Sequence, residues 1–473
     1  MSRAKAGAVP ASLSASFAQA MLGLRDTYSP TCIALACSGG LDSMALLHLA
    51  HGWCVEAGIE LVVLHVHHGL SPHADAWLAH VDKAGAALGL ACDHRRVTVP
   101  KDGSGIEAAA RKLRYAALGE MARAHGAGLL LTAHHLDDQA ETVLLQLLRG
   151  SGPAGLSGMD PANAAPDLLG DAALVMARPL LSQSRAALEA YASAHALRWV
   201  EDESNQDPRY TRNALRHQVM PALANNFPGF QARIARGAAH VAAAQRMLDE
   251  LAAQDLAACL DGEAVDLERL GKLSADRIDN TLRHLFVVRG LAMPSTAWLS
   301  QMVMQLFSAR EDAQLKVTHP GCLVRRHRGK LFLTPHLAAL AGMRDPDDAG
   351  VLEKFGQDFR WQGQASIAFP AYGGVLHFDP VEEGIDAAWL RSQLLTIDFR
   401  TGGERLKPAA NRPTRGLKAH YQALGVPAWE RERLPVVSAA PGLLFAAGIG
   451  MDCRHFGAPG SELIGLRWVA NPV

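Results

Sequence analysis

An apolar run of five residues, Cys32-Ile33-Ala34-Leu35-Ala36, is followed by Ser38-Gly39-Gly40-Leu41-Asp42-Ser43 and then at once by Met44-Ala45-Leu46-Leu47-His48-Leu49. The first segment reads as a buried strand and the last as a helix. A glycine turn between them makes a concave array of main-chain N–H groups at a helix N-terminus, which attracts anions. Ser38 and Ser43 add hydroxyl groups, and Asp42 adds a carboxylate where a metal-bound phosphate would lie. The loop lacks the lysine of the G-x-x-x-x-G-K-[ST] phosphate loop, so it does not look built to grip a γ-phosphate for transfer. A serine–glycine turn without function carries the same six residues, so the rest of the chain has to decide.

The alternation continues. Short β-type runs at 61–66, 92–97 and 129–132 are separated by helical patterns over 74–88 and 105–125. Such alternation predicts an α/β fold, a parallel sheet with helices on both faces. Ligands of such sheets bind beyond the carboxyl ends of the strands, where the Ser38–Ser43 loop falls. Further on, the pattern predicts a helix from near Asp137, a helix over 180–195 and a short strand at Trp199-Val200. Helical stretches follow over 213–260 and 275–308, then a basic hairpin over 323–335 and an acidic, glycine-containing linker over 344–350. This divides the chain into a nucleotide domain at 1–218, a mainly helical middle domain at 219–345 and a small α+β domain at 346–473.

The 473 residues suit two to four domains. A net charge of -1 gives no global footprint for nucleic acid, so any RNA surface has to be a local basic patch. Seven scattered cysteines without a C-x-x-C pair argue against structural zinc, an iron–sulfur cluster and a disulfide scaffold, and fit a reducing compartment. The first 23 residues build no signal-peptide core, and no stretch is apolar enough to span a membrane. A cytoplasmic protein is expected.

Two more clusters sit at predicted strand ends. His65-Val66-His67-His68-Gly69-Leu70 ends the second strand; on a strand His65 and His67 share a face, which makes a three-histidine metal site awkward. Thr132-Ala133-His134-His135-Leu136-Asp137-Asp138-Gln139-Ala140-Glu141-Thr142 follows the fourth. Asp137 and Glu141 share one helical face, and Asp138 and Thr142 another. Acids in a first helical turn are favoured by the dipole alone, but paired carboxylates with phosphate oxygens also suit magnesium. Between the clusters, Glu107, Arg111 and Arg114 share a face, either as a solvated surface or as a place to neutralise a polyphosphate.

S-G-G-L-D-S resembles the pyrophosphate loop of the N-type ATP pyrophosphatases, which join AMP to a substrate oxygen and release pyrophosphate. With H-V-H-H-G-L, E-A-A-A-R-K-L-R-Y and T-A-H-H-L-D-D-Q-A-E-T, it resembles the motif series of the bacterial tRNA(Ile)-lysidine synthase family. The match extends through L-R-G-S-G, R-P-L-L, D-E-S-N and Y-T-R-N to R-T-G-G-E-R at Arg400 and V-P-A-W-E-R at Val426. The resemblance implies that ATP adenylates the 2-oxo oxygen of the wobble cytidine in tRNA(Ile) with a CAU anticodon, and that the amine of L-lysine then displaces AMP.

It further implies an ATP site made by Ser38, Gly39, Gly40, Leu41, Asp42, Ser43, Val66, His68, Arg111, Thr132 and His134. Asp42, Arg111, His134, Asp137, Asp138 and Glu141 would be catalytic. Asp42, Asp137 and Asp138 are the magnesium candidates, and Glu141 could accept a proton from the lysine ammonium. Arg149, Arg209, Arg212, Asn213, Arg216, Arg400, Arg405, Lys418 and Arg431 are the expected tRNA contacts, with Trp429 and Tyr421 as bases' stacking candidates. A homodimer is left open. The rivals are another enzyme of the superfamily, such as a tRNA thiolase, and a non-catalytic nucleotide-binding protein.

Overall fold

The computed structural model describes residues 12–69, 71–98, 106–201, 211–308, 315–336, 356–440, 442–458 and 460–470. The chain divides into two compact units, 1–251 and 252–473. The linker expected at 344–350 lies outside the described residues.

The first unit opens with α1 (Leu13–Tyr28), β1 (Cys32–Ala36), α2 (Leu41–Ala57), β2 (Glu60–His67), α3 (Ala74–Ala87) and β3 (Ala91–Arg96). It continues with α4 (Ile106–Ala124), β4 (Leu129–Leu131), α5 (Leu136–Leu148), α6 (Pro153–Leu156), β5 (Ala162–Ala164) and α7 (Pro166–Leu169). After β6 (Val175–Ala177) and α8 (Arg185–Ala194) come α9 (Thr211–Ala214), a π-helical turn at Leu215–Val219, α10 (Met220–Asn226) and α11 (Phe230–Cys259), whose residues from Ala252 on belong to the second unit. The sheet order is β3-β2-β1-β4-β6-β5, parallel throughout except for β5.

Period-two alternation puts both sheet faces in contact with apolar side chains. Ile33, Leu35, Val63, Leu129 and Leu131 face one core, shared with α1, α2 and α8. Ala34, Val62, Leu64 and Leu130 face the other, against Tyr115, Leu118 and Met121 of α4. Because α2 lies between the sheet and other helices, it is apolar on nearly every side, with ten buried residues and no amphipathic stripe.

Two expectations change. The helix expected over 180–195 starts only at Arg185, where the Ser184 hydroxyl caps it by accepting the Ala187 N–H. Residues 180–183 form turns instead, and the Gln183 carbonyl accepts the Leu136 N–H that opens α5. Trp199-Val200 is extended but joins no sheet; the Val200 N–H donates to the Gly39 carbonyl at 3.0 Å. The long helical stretch expected from 213 is interrupted by the π turn and by Phe227-Pro228-Gly229, where Gly229 takes a positive φ.

In the second unit, β7 (Leu260–Asp261), β8 (Ala264–Asp266), β9 (Lys316–His319), β10 (Cys322–His327) and β11 (Lys330–Thr334) form an antiparallel sheet. It packs on α12 (Leu267–Gly271), α13 (Ala275–Val288) and α14 (Thr296–Ser308) around Leu270, Leu282, Phe286, Leu299 and Val324. The C-terminal part has a five-stranded and a three-stranded sheet sharing a core of Trp361, Phe369, Phe378, Ile397 and Phe445. Among the described residues no helix is long and apolar enough to cross a membrane.

Leu35 is fully buried on the central strand. Leu35→Ala should lower unfolding free energy by about 3 kcal/mol, read from denaturant titration, because the sheet on either side cannot collapse into the cavity.

Candidate functional site

Strand order reverses beside β1, which pairs with β2 on one edge and β4 on the other. A crevice at the carboxyl ends of β1 and β4 follows from that topology. The loops leaving these two strands are Ser38–Ser43 and Thr132–Asp138.

In the first loop Gly39 has φ +86°, a left-handed value that disfavours any side chain. A Cβ there would also lie 3.1 Å from Val200 and 3.3 Å from Val81. The Ser43 hydroxyl donates to the Gly40 carbonyl at 2.9 Å and accepts the Gly39 N–H at 3.1 Å. Ser38 Oγ lies 3.2 Å from Ser43 Oγ. The two serines, expected as ligand donors, thus hold the shape of the loop. Gly40 is the N-cap of α2 and has no side chain to occupy the first N–H groups of the helix, at Leu41, Asp42 and Ser43.

The second loop starts α5 with a reciprocal cap. His135 Nδ1 accepts the Asp138 N–H at 3.4 Å, and the Asp138 carboxylate accepts the His135 N–H at 3.1 Å. His135 Nε2 then faces Asp42 Oδ2 at 3.6 Å and Asp138 Oδ2 at 3.4 Å, bridging the two loops. Burial opposes charge on this ring, but the Asp42 hydrogen bond and the charges of Asp138, Asp42 and Asp137 outweigh it. They hold its pKa above the ordinary histidine value.

The acids differ in what they touch. Asp137 accepts the Arg185 main-chain N–H at 2.8 Å and the Gln231 amide at 3.1 Å, so both oxygens are engaged. Glu141, 1% exposed, is gripped by Arg216 Nε at 2.7 Å and Arg212 Nε at 2.9 Å, and both guanidinium groups also reach Asp138. Arg212 and Arg216, expected at an RNA surface, therefore lie on the acids. The π turn at Leu215–Val219 lies in the segment that presents them, a local irregularity common at functional sites. Asp42 Oδ1 is different: it is buried with no hydrogen-bond partner among the described residues, and Arg185 Nε lies 4.0 Å from it.

His134 accompanies a separate group of cations. Its Nδ1 meets the Thr132 hydroxyl at 2.9 Å. Burial, then the positive charges of Arg178, Arg111, Arg212 and Arg114, push its pKa down to about 3. The ring is thus neutral near pH 7. Arg111 and Arg114 both stand over the Tyr115 ring, at 4.9 and 5.1 Å.

The histidines of the second strand have structural roles: buried His65 bonds the Cys37 carbonyl at 2.8 Å, and buried His67 lies 3.3 Å from Asp75. Val66 is packed in the α4-side core, and His68 is half-buried just past β2. Arg149 is exposed at the end of α5, and Asn213 is half-buried on α9. Arg209, like the D-E-S-N motif, lies outside the described residues.

In the second unit Arg405 and Lys418 are exposed, while Arg400 is half-buried, its enclosed Nε without a hydrogen-bond partner among the described residues. Two expectations fail there. Arg431 is buried, its Nε donating to the Val426 carbonyl at 2.6 Å, so it fixes its own turn. Tyr421 is fully buried and donates to the Ala447 carbonyl at 2.7 Å, which leaves no face for a base.

Sequence reading missed Arg185 and Gln231, which lie outside the site's motifs and reach Asp42 and Asp137 only through tertiary packing. It read Arg178 only as part of R-P-L-L; here Arg178 is buried, bonds the Asp160 carbonyl and Asn163, and adds charge beside His134.

Comparison with known proteins follows the same division. The PP-loop domain family matches residues 13–223, the TilS substrate binding domain residues 266–332, and the TilS substrate C-terminal domain residues 395–468. The tRNA(Ile)-lysidine synthase of Ralstonia nicotianae is 44% identical over 424 residues, covering 89% of this chain and 89% of that protein. That of Burkholderia pseudomallei is 44% identical over 451 residues, covering 90% and 91%. That of Alkalilimnicola ehrlichii is 40% identical over 431 residues, covering 91% and 92%.

Two outcomes test the geometry. Gly39→Ala should destabilise the first unit by about 2 kcal/mol in denaturant titration, since strain at a left-handed φ is added to contact with Val200. For His134 the folded pKa lies below the unfolded value of 6.5. The unfolded chain therefore binds the extra proton first, and His134 reduces stability as pH falls from 6.5 towards about 3. His134→Gln should flatten that part of the stability–pH curve; an unchanged slope would contradict the assignment.

Proposed function

The chain belongs to the tRNA(Ile)-lysidine synthases, and from that premise we infer that it ligates L-lysine to C2 of the wobble cytidine of tRNA(Ile) bearing CAU. It is a ligase that forms a carbon–nitrogen bond and uses ATP. The 2-oxo oxygen attacks the α-phosphorus, the bond to pyrophosphate breaks, and the amine of lysine then displaces AMP at that carbon.

One observation carries the mechanism: His135 joins Asp42 of the glycine loop to Asp138 of the acidic loop across the mouth of the sheet. The N–H groups opening α2 hold the departing pyrophosphate in a preorganised cradle. Arg111 and Arg114 face the phosphoryl oxygens, and neutral His134 is able to donate or accept a hydrogen bond beside them.

Magnesium fits the donor set. The Oδ1 of Asp42, without a hydrogen-bond partner among the described residues, is a hard oxygen suited to such an ion, and Asp138 meets the same His135 ring as Asp42. Magnesium commonly takes one or two carboxylates and completes its shell with phosphate oxygens and water. When bound, the ion would neutralise charge on the triphosphate. Asp137, with both oxygens bonded, instead fixes the start of α8. Glu141 can take a proton from the lysine ammonium once one guanidinium has given way to it, an exchange of cation for cation.

A thiolase would need a reactive thiol near the loop. Cys37, the closest by position, is buried, which pushes its pKa up to about 11. We further propose that 1–218 adenylates, that 219–345 and 346–473 hold the tRNA, and that Arg149, Arg209, Asn213, Arg400, Arg405 and Lys418 contribute phosphate contacts.

Purified protein with ATP and magnesium should release pyrophosphate in a tRNA-dependent manner and incorporate labelled lysine into the CAU-bearing tRNA. Pyrophosphate release without lysine incorporation would overturn the lysidine assignment while sparing the superfamily. Asp42→Ala should abolish pyrophosphate release and leave tRNA binding nearly intact in a filter assay.

A further inference from the structure

The β10–β11 hairpin closes through Arg328-Gly329, with His327 paired to Lys330. Both turn residues have positive φ, 48° and 72°. A two-residue turn of this kind favours Asn-Gly, and an arginine in its first place is uncommon. The side chain has a specific destination. Its guanidinium donates to the Gln422 carbonyl at 2.5 Å, at the end of the helix Leu417–Ala423. It also lies against Gly425, where a Cβ would stand 2.4 Å from Arg328 Nη1. His327 Nε2 meets the Gly425 carbonyl at 3.1 Å.

The two hairpin-tip residues therefore hold carbonyls in the last turn of a helix and just beyond it, where positive charge is also favoured. The same face of the hairpin continues the contact. Arg325 stands 5.1 Å over the Trp429 ring, and the ring meets His327 and Phe332 edge-on at 5.9 and 5.6 Å. Trp429 lies on the short helix Ala428–Arg431.

We propose that Arg328 is a positioning residue for tRNA recognition. The hairpin tip is a strut that fixes the helix carrying Lys418, and with it the short strand Arg405–Leu406 joined to the start of that helix, against the sheet of the middle region. The inference rests on the tRNA reading above. Phosphate contacts on two parts of one surface add up only when their spacing is held. Arg328 touches no reacting atom, so its loss should appear in tRNA affinity and not in the chemistry.

Arg328→Asn separates the strut from the turn, because asparagine suits the left-handed position but cannot reach Gln422. Gly425→Ala attacks the same contact from the other side. Both variants should raise the KM for tRNA(Ile) by about tenfold while kcat at saturating tRNA and the KM values for ATP and lysine stay within about twofold. Arg328→Lys, which keeps a cation near the carbonyls, should recover part of the affinity. The melting temperature of Arg328→Asn should match the wild type. An unchanged KM for tRNA in Arg328→Asn overturns the proposal, as does an equal fall in kcat. Wild-type protein that fails to modify the tRNA overturns the function itself, a distinct result.

Discussion

Parallel hydrogen bonding on both edges of β1 is the constraint on which the site depends. Ile33, Ala34 and Leu35 pair with Leu61, Val62 and Val63 on one side and with Leu129, Leu130 and Leu131 on the other. In-register pairing ends the strands at one level, so the glycine loop and the acidic loop emerge side by side. The apolar layers on both faces hold that register, because a slip by one residue would exchange the two cores.

Upon this platform the chain assembles groups that would repel one another without close pairing. Asp138 and Glu141 are enclosed together, and a buried carboxylate without a partner is costly. Arg212 and Arg216 make the arrangement tolerable with five hydrogen bonds to three carboxylate oxygens shared across both acids. On the other flank, His134 stays neutral beside Arg178, Arg111 and Arg114, and the positive field there favours an anion. The site thus sets acids held by two arginines against cations grouped around a neutral ring.

Much of this was legible in the sequence, since period-two apolar runs, a glycine loop and acids in a first helical turn are local signals. The strands at 32–36, 61–66 and 129–132 follow directly from their apolar pattern. What was not legible depends on contacts between distant residues. Nothing local marks Arg216 as a partner of Glu141, for that role and an RNA contact both want an exposed-looking arginine on a helix. Tyr421 and Arg431 mislead for a related reason: their polar ends are satisfied by main-chain carbonyls at Ala447 and Val426, which only the fold brings near. Trp199-Val200 has strand-forming residues, but the Val200 N–H goes to the glycine loop, and among the described residues the pair joins no strand.

That one bond, from the Val200 N–H to the Gly39 carbonyl, has a consequence for the arginine pair. Val200 is fastened to the phosphate loop, and Arg212 follows it by twelve residues along the chain. A segment of that length spans at most about 40 Å even at full extension. Guanidinium groups released from Glu141 therefore stay within a small volume around the crevice, at a high effective concentration. Their return to the acids is an intramolecular event whose rate does not depend on protein concentration.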